Sequence, residues 1–420
     1  MPVYSSCVAA KPEPSNDGPV FLGRRATNAV RGQDEEMTGT LSTLKRFVIV
    51  MLFVLSGLVA AANRPAAASM NPPLVPLMLV GVPGTHSVYV VSTSNLFESS
   101  HPSACGFSCY LLQRTTDTGS HFKVLNLPRT SYLSDSLTGT LDQLVFANNL
   151  DGYAVMGAGA PRSLYVTLDG GGSWHRENIT SGTEILQLVA TTSHVFAVVA
   201  RCSNNTTPCT DFRLATSPLA GDHWTISPLA NWPVGMGVGL GAFGSTIWLT
   251  QQTHTTVKVL TSHNLGATFT EGSVPRLDSV YACYMTATSD TSLWARCPTG
   301  MESSFFYSRT SGITWNTIPI HFNNTAGGYF APVSSSLAFL VLGRQGSVNA
   351  KNVIRISNQG RSLTPVGNLP CNIVNGLVFT DASHGLAACD ERNSFASTIL
   401  LKTSDGGASW SSATSFYTPV

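Results

Sequence analysis

The sequence predicts an all-β fold, a seven-bladed β-propeller of four-stranded antiparallel blades. Three observations support this prediction. The composition is typical of a soluble β-protein, with 43% hydrophobic residues, only 11% charged residues and 37 glycines. A short phrase, Ser/Thr-x-Asp-x-Gly-x-x-Trp, recurs along the chain. Short apolar runs of strand length surround the copies of this phrase.

The phrase is clearest at Thr167–Trp174 and at Thr403–Trp410. Each residue type suits a tight β-hairpin. The Asp carboxylate can accept backbone N–H bonds inside the turn, and Gly adopts a positive φ without steric cost. The aromatic ring is expected to pack between layers of the fold. We therefore expect each copy to form a hairpin turn with a structural role.

Seven copies occur, some of them degenerate. Their marker residues are Asp117, Gly119 and Phe122; Asp169, Gly171 and Trp174; Gly221 and Trp224; Asn264, Gly266 and Phe269; Gly312 and Trp315; Asn358 and Gly360; and Asp405, Gly407 and Trp410. Successive glycines are 45 to 52 residues apart. A fixed period of this size is typical of repeat proteins whose units bury their faces against neighbours. Seven copies therefore predict seven blades.

The first unit shows the predicted strand order. Two apolar runs, Leu77–Val82 and Ser87–Ser92, are followed by Tyr110–Arg114, which leads into the turn, and by Phe122–Leu127, which leaves it. Four short strands per unit match a propeller blade. If the phrase is the turn between the third and fourth strands, it shares one face with the first-to-second-strand turns. The remaining loops and the connections between blades then lie on the other face.

The phrase resembles the Asp-box, or BNR repeat, of sialidase-like β-propellers. The fuller unit that begins with Leu377–Ala388 resembles a blade of the photosystem II assembly-factor propellers and of many bacterial secreted relatives. The resemblance extends from about Pro73 to Val420. It implies that the repeated turns are structural and that binding sites lie on the opposite face.

The residues before the propeller, which is assigned to 73–420, suggest export. Residues 1–46 are polar, and residues 47–62 form an apolar run that follows Lys45-Arg46 and ends in three alanines. The run is shorter than the ~20 residues that a membrane-spanning helix needs, so it predicts a signal peptide. An uncleaved N-terminal anchor is the alternative, and residues 63–72 are a predicted linker. A start at Met37 would give a signal peptide of ordinary length.

The eight cysteines after this segment fall into four close pairs. These are Cys105 and Cys109, Cys202 and Cys209, Cys283 and Cys297, and Cys371 and Cys389. An even number of local pairs in an exported domain predicts disulfide bonds. Metal binding is the alternative, which the absence of Cys-x-x-Cys disfavours because zinc needs four converging ligands. All four pairs map to the face opposite the repeated turns, where they would hold loop ends or a recognition surface rigid.

Catalytic motifs are missing. A sialidase would carry a Phe/Tyr-Arg-Ile-Pro motif, and the nearest match, Arg355-Ile356-Ser357, lacks the proline. Other glycosidases need two carboxylates facing each other across the substrate, and no motif marks such a pair among the acids of the predicted binding face, which include Glu184 and Asp211. The ten histidines show no metal-ligand spacing. We expect no cofactor and no metal.

The sequence therefore predicts a secreted or cell-envelope propeller that binds an extracytoplasmic protein or carbohydrate without catalysis. The net charge of +1 gives no indication of a nucleic-acid partner, and membrane contact is expected only through an N-terminal anchor. The chain is expected to be monomeric. The alternative function is a glycoside hydrolase, either sialidase-like or another exo-acting glycosidase.

Overall fold

The structure is a computed structural model that describes residues 74–94, 109–128, 141–157, 162–179, 182–202, 209–229, 232, 238–252, 257–273, 283–299, 302–320, 329–342, 351–391 and 398–416. These residues form 28 strands and one 3-10 helix, Thr414–Phe416. The strands form seven four-stranded antiparallel sheets in a ring, which confirms the predicted seven-bladed β-propeller. The predicted N-terminal region, export segment and linker lie outside the described residues.

Each blade is built from four consecutive strands. Blade 1 contains β1 (Leu74–Gly81), β2 (Val88–Ser94), β3 (Cys109–Thr115) and β4 (Lys123–Leu125); blade 2 contains β5 (Leu141–Phe146), β6 (Gly152–Met156), β7 (Ser163–Thr167) and β8 (His175–Glu177); blade 3 contains β9 (Glu184–Ala190), β10 (His194–Arg201), β11 (Thr210–Pro218) and β12 (Thr225–Pro228); blade 4 contains β13 (Val238–Phe243), β14 (Thr246–Gln252), β15 (Val257–Ser262) and β16 (Thr270–Ser273).

The remaining three blades continue in chain order. Blade 5 contains β17 (Tyr284–Ala287), β18 (Leu293–Thr299), β19 (Glu302–Ser308) and β20 (Asn316–Ile318); blade 6 contains β21 (Tyr329–Ser334), β22 (Leu337–Val341), β23 (Val353–Ser357) and β24 (Ser362–Gly367); blade 7 contains β25 (Cys371–Phe379), β26 (Gly385–Glu391), β27 (Thr398–Thr403) and β28 (Ser411–Ser412).

Antiparallel pairing alternates the connections between two faces of the ring. Every copy of the repeated phrase lies between the third and fourth strands of its blade, and we call these seven connections the repeat turns. They share one face, the turn face, with the turns between first and second strands. Second strands end and third strands begin on the opposite face, which we call the loop face.

The apolar core is divided among the interfaces between blades. Seven clusters of buried side chains occur in the described residues, and each joins two neighbouring blades. Strand β6 illustrates how one blade contributes to two clusters, because all five of its residues are buried. Tyr153 and Val155 pack towards blade 3, whereas Ala154 packs towards blade 1. Each blade is therefore buried on both sides and depends on its neighbours for stability.

Two tryptophans that lie outside the repeated phrase are the largest fully buried side chains of these interfaces. Trp248 on β14 and Trp294 on β18 are fully buried. The Trp248 indole N–H donates to the carbonyl oxygen of Ser311 at 3.0 Å, in the repeat turn of blade 5. The Trp294 indole N–H donates to the carbonyl oxygen of Ser334 at 2.9 Å, in blade 6. Each ring thus fills an interface and forms a hydrogen bond to the next blade.

The aromatic rings of the repeat turns are less buried than predicted. Phe122 is buried, but the tryptophans of the other turns are only half-buried at the edges of the interblade clusters; these are Trp174, Trp224, Trp315 and Trp410. Each of these rings packs against a cluster between two blades, as expected, but its burial is only partial. The reason is their position beside the short fourth strands, whose residues are mostly exposed.

In the described residues, the ring closes between blades 1 and 7 without an exchanged strand, because each of these blades is formed by consecutive strands from one end of the described chain. Strand β1 contacts β25 at this seam. The rings of Phe122 and Phe416 meet edge to face with centroids 5.4 Å apart. The Gln113 side-chain amide donates to the Phe416 carbonyl oxygen at 3.0 Å. Side-chain packing and hydrogen bonds therefore hold the seam.

We expect Trp248→Ala to destabilise the protein more than Trp410→Ala. Loss of a fully buried tryptophan leaves a cavity and costs about 3–5 kcal/mol of unfolding free energy. Trp410 is half-buried, so its loss removes less apolar contact. Urea unfolding of the two variants, followed by circular dichroism, measures both losses. Equal losses would show that burial does not separate the two classes of tryptophan.

Candidate functional site

The repeat turns close small hydrogen-bond networks. In blade 2 the Thr167 hydroxyl donates to Asp169 Oδ1 at 2.8 Å and accepts from the Gly171 N–H at 2.8 Å. Asp169 Oδ1 also accepts from the Ser173 N–H at 2.9 Å, and Oδ2 accepts from the Ser173 hydroxyl at 2.7 Å. The turn of Thr403, Asp405 and Gly407 repeats this pattern. The polar groups of these turns are thus used within the turn.

The repeat-turn glycines also set the spacing between blades. All seven have a positive φ, between 73° and 92°. A Cβ atom added at Gly407 would lie 2.9 Å from Val353 Cγ1 of blade 6. At Gly119 it would lie 2.7 Å from Leu386 Cδ2 of blade 7. Glycine is needed here both for backbone conformation and for close approach to the preceding blade.

Hydrogen bonding keeps the turn carboxylates ionised. Bonds from Ser173 and Thr167 lower the pKa of Asp169 to about 2. Burial acts to raise the pKa of Asp117, but hydrogen bonds from His121, Thr115 and Ser120 lower it to about 2. An acid that is ionised and hydrogen-bonded in this way is a poor proton donor near neutral pH. These properties suit a structural role on the turn face.

Three of the predicted disulfide bonds are present, and they lie on the loop face. Cys202–Cys209 joins the end of β10 to the start of β11. Cys283–Cys297 and Cys371–Cys389 each join the first and second strands of a blade. Cys105 lies outside the described residues, as does the side chain of Cys109. The disulfides therefore fix strand ends on the face where binding was predicted.

A tyrosine and an arginine lie directly beside one of these bridges. Tyr284 follows Cys283, Arg296 precedes Cys297, and Tyr284 and Arg296 are paired across β17 and β18. The Arg296 guanidinium carbon is 6.0 Å from the centroid of the Tyr284 ring. Arg296 Nε donates to the Ser303 hydroxyl at 3.2 Å. The bridge thus holds the backbone that presents this pair.

Arg296 is a half-buried cation beside Tyr284, with Tyr329 as a second tyrosine close enough to interact electrostatically. Burial lowers the pKa of its guanidinium, and the neighbouring Tyr329 and Tyr284 act in the opposite direction. Tyr329 begins β21 of blade 6, so the group lies between blades 5 and 6. We call these three residues the Tyr-Arg-Tyr cluster. Among the side chains that the structure describes, which do not include that of Glu302, no carboxylate forms an ion pair with Arg296. A buried cation favours an anionic partner.

The described acids of the loop face are held by arginines. Asp142 Oδ2 is 2.6 Å from Arg162 Nε, and Glu184 accepts a hydrogen bond from the Arg162 backbone N–H at 3.2 Å. Burial raises the pKa of Asp142, and Arg162 acts in the opposite direction. Glu184 is only 7% exposed, so it is a buried acid of the interface and not a solvated loop residue. Arg162 thus engages both carboxylates, Asp142 through its guanidinium and Glu184 through its backbone N–H.

Asp211 is likewise paired, because its carboxylate accepts two hydrogen bonds from the Arg213 guanidinium, at 2.5 and 2.9 Å.

The sequence could not indicate the Tyr-Arg-Tyr cluster. Arg296 has no motif, and Tyr329 follows it by 33 positions in the next blade. In the sequence, the only indication of this cluster was that Tyr284 and Arg296 are each next to a cysteine of one predicted pair.

Comparison with known proteins supports the fold. The chain matches no protein-family model and no curated protein. Among solved structures, a mutant of puromycin hydrolase complexed with PGG is similar, with 14% identity, a TM-score of 0.53 and coverage of 83% of this chain and 55% of that chain. The β-propeller domain of the Trilobed protease from Pyrococcus furiosus, described as having an open velcro topology, has 9% identity, a TM-score of 0.50 and coverage of 83% and 97%.

YCF48 from Cyanidioschyzon merolae is also similar, with 12% identity, a TM-score of 0.46 and coverage of 81% of this chain and 97% of that chain. At these identities the likeness to solved structures shows the propeller fold alone. The chain spans about half the length of the puromycin hydrolase, 55% of it.

The repeat-turn carboxylates predict a specific acid response. A carboxylate whose pKa is lowered on folding adds stability above its unfolded pKa, and this stability is lost as pH falls towards the folded pKa. For Asp169 the window runs from about pH 4 to about pH 2. We expect Asp169→Asn to lose less thermal stability than the wild type across this window. Melting temperatures at pH 5, 4, 3 and 2.5 measure the effect.

Blade 4 supplies the reciprocal control. Asn264 accepts from the Thr268 N–H at 3.0 Å and donates to the Thr268 hydroxyl at 2.9 Å, so an amide already fits one repeat turn. Asn264→Asp should make the protein more sensitive to acid over the same window. An identical acid response in all three proteins would contradict a stabilising role for ionised turn carboxylates.

The disulfides should differ in their effects on stability. Cys283–Cys297 spans 14 residues and is fully buried. A disulfide that closes a loop of this size stabilises the folded protein by about 3 kcal/mol. Cys202–Cys209 spans only 7 residues and is partly exposed. Replacing the first pair with serine should lower the melting temperature clearly, whereas replacing the second should have a smaller effect. The reverse order would show that loop size and burial do not determine their contributions.

Proposed function

We propose that this chain is an extracytoplasmic, non-catalytic binding or assembly module that recognises a partner protein through its loop face. The observation that carries this proposal is the Tyr-Arg-Tyr cluster, in which a half-buried arginine without a carboxylate partner among the described residues lies beside the Cys283–Cys297 bridge. A binding surface benefits from groups that are held in place before the partner arrives. The bridge provides this support.

Several features favour a location outside the cytoplasm. Three disulfides are typical of an oxidising compartment. The predicted signal peptide or anchor at residues 47–62 agrees with export. Among the residues that the structure describes, no helix is long and apolar enough to cross a membrane.

The chemistry of the cluster indicates what a partner presents. Arginine forms its strongest hydrogen bonds with carboxylates, and tyrosine and arginine are enriched among the residues that dominate protein interfaces. Tyr284 is 38% exposed, so its ring is accessible beside the guanidinium. An acidic side chain or the C-terminal carboxylate of a protein would pair with the Arg296 guanidinium. The tyrosine rings would contact apolar atoms next to that carboxylate. An acidic glycan is the alternative ligand.

Two observations support binding rather than hydrolysis. Asp142 and Glu184 are engaged by Arg162, and the turn-face carboxylates are hydrogen-bonded within their turns. The hydrolase named among the similar structures is about twice as long as the region this chain matches, so its activity is not transferred. The hydrogen-bond networks of the repeat turns also support our inference that these turns are Asp-boxes, which assigns them to the framework.

The proposal is tested by retention of partners from the native envelope. The purified full chain is immobilised, and retained proteins are quantified for the wild type, Arg296→Ala and Arg309→Ala. Arg309 is an exposed arginine of the same blade on the turn face, and it provides the matched control. We expect Arg296→Ala to weaken retention by roughly 30-fold, the effect of losing a hot-spot residue of about 2 kcal/mol.

Two treatments separate the partner classes. Digestion of the extract with protease should abolish retention, whereas digestion with glycosidases should not. Equal retention by the Arg296 and Arg309 variants would exclude the cluster as the binding site. Turnover of a fluorogenic glycoside that is lost in Asp142→Asn would replace the proposal with a glycoside hydrolase.

A further inference from the structure

A second group of functional side chains lies on the turn face at the ring seam. His86 is in the turn between β1 and β2 of blade 1, and Asp381 and His384 are in the turn between β25 and β26 of blade 7. Asp381 Oδ2 is 3.1 Å from His86 Nδ1 and 2.8 Å from His384 Nδ1. One donor atom from each side chain lies within 4.8 Å of the other two.

The carboxylate is oriented by its own turn. Asp381 Oδ1 accepts hydrogen bonds from the Ser383 N–H at 2.6 Å and the His384 N–H at 2.8 Å. The other oxygen, Oδ2, is therefore directed at the two imidazoles. The turn that carries His86 is also held, because the Ser87 N–H donates to the Thr85 hydroxyl at 3.0 Å. The three ligand atoms thus belong to two fixed turns.

The distances suit a transition-metal ion. Four donors around a tetrahedral zinc ion, bound at about 2.0–2.2 Å, are about 3.3–3.5 Å apart. The two measured separations are slightly shorter, so small side-chain rotations would admit an ion between the groups. Imidazole nitrogens with a carboxylate favour zinc and neighbouring divalent transition metals over calcium or magnesium, which prefer oxygen ligands. His86 is exposed, so an ion can reach the site from solvent.

The alternative to a metal is a hydrogen-bonded pair. In that arrangement both histidines carry a proton on Nδ1 and both donate to the same carboxylate oxygen. A metal ion would replace the two protons and would connect blade 1 directly to blade 7. This connection would lie at the seam, where the described residues show no exchanged strand, and it would add to the packing of Phe122 and Phe416.

We propose that His86, Asp381 and His384 form a binding site for a divalent transition-metal ion, with zinc as the preferred ion, that bridges the first and last blades. Three protein ligands leave one coordination position for water. The ion strengthens ring closure, because it binds the closed ring through both blades and the opened ring through blade 7 alone. This proposal does not depend on the proposed binding function of the loop face.

The test uses the untagged full chain, treated with a chelator and dialysed, with zinc chloride as the probe. Isothermal titration measures affinity and stoichiometry, and thermal unfolding measures stabilisation. We compare the wild type with His86→Ala, His384→Ala and His121→Ala. His121 is the matched control, because its Nδ1 lies 2.6 Å from Asp117 Oδ2 in an exposed pair with no third metal ligand among the described residues.

The wild type and His121→Ala should bind one zinc ion and show a melting temperature that rises with zinc concentration. His86→Ala and His384→Ala should each weaken binding by at least roughly tenfold and lose this rise. Because His86 is exposed, its replacement tests the site without disturbing the core, and circular dichroism verifies the fold. The proposal is overturned if His86→Ala binds zinc as the wild type does, or if the wild type binds none.

Discussion

The stability of the propeller depends on the burial of apolar side chains between neighbouring blades. Each sheet has apolar side chains on both sides, so a blade is stable only when it lies between two neighbours. This constraint explains why the repeat-turn glycines approach the preceding blade so closely, since a bulkier residue at Gly407 or Gly119 would separate the two blades at the rim. It also explains why Trp248 and Trp294 form their indole hydrogen bonds to the next blade. The turns, the large aromatic residues and the two buried disulfides all contribute to the same set of interfaces.

The two faces of the ring follow from the same arrangement. Hairpin turns with internal hydrogen bonds occupy the turn face, which leaves few polar groups free for a ligand. The strand ends of the loop face are joined by disulfides, and there the chain presents a half-buried arginine close to two tyrosines. Under the proposed function, stability and recognition are separated in space, with the repeat turns as the framework and the loop face as the binding surface. A fold of this kind supports many functions, so the side chains of the loop face, and not the ring, determine what is bound.

Much of the fold could be predicted from the sequence, because a repeat of 45 to 52 residues fixes both the strand order and the blade number. Three of the four predicted cysteine pairs were confirmed, and they could be predicted because each lies within one blade. The residues that the sequence could not identify are those brought together by ring geometry. His86 and His384 are separated by almost the whole propeller chain, and closure alone places them beside one Asp381 carboxylate. Arg296 and Tyr329 meet only because blades 5 and 6 are adjacent. The repeat-turn tryptophans pack against the interblade clusters as expected, but their partial burial could not be predicted because it depends on the shortness of the fourth strands.

Among the described residues, the ring is closed by side-chain packing and side-chain hydrogen bonds. Six interfaces join blades that are also connected by the chain, whereas the seam between blades 1 and 7 has no such connection. The seam should therefore open at a lower free energy than the other interfaces. Native-state amide hydrogen exchange of the metal-free full chain tests this directly. We expect β1 and β25 to exchange through an opening of lower free energy than that of β9 and β13, which lie within the continuous array. Equal or greater protection of β1 and β25 would contradict a noncovalent seam as the weakest interface of the ring.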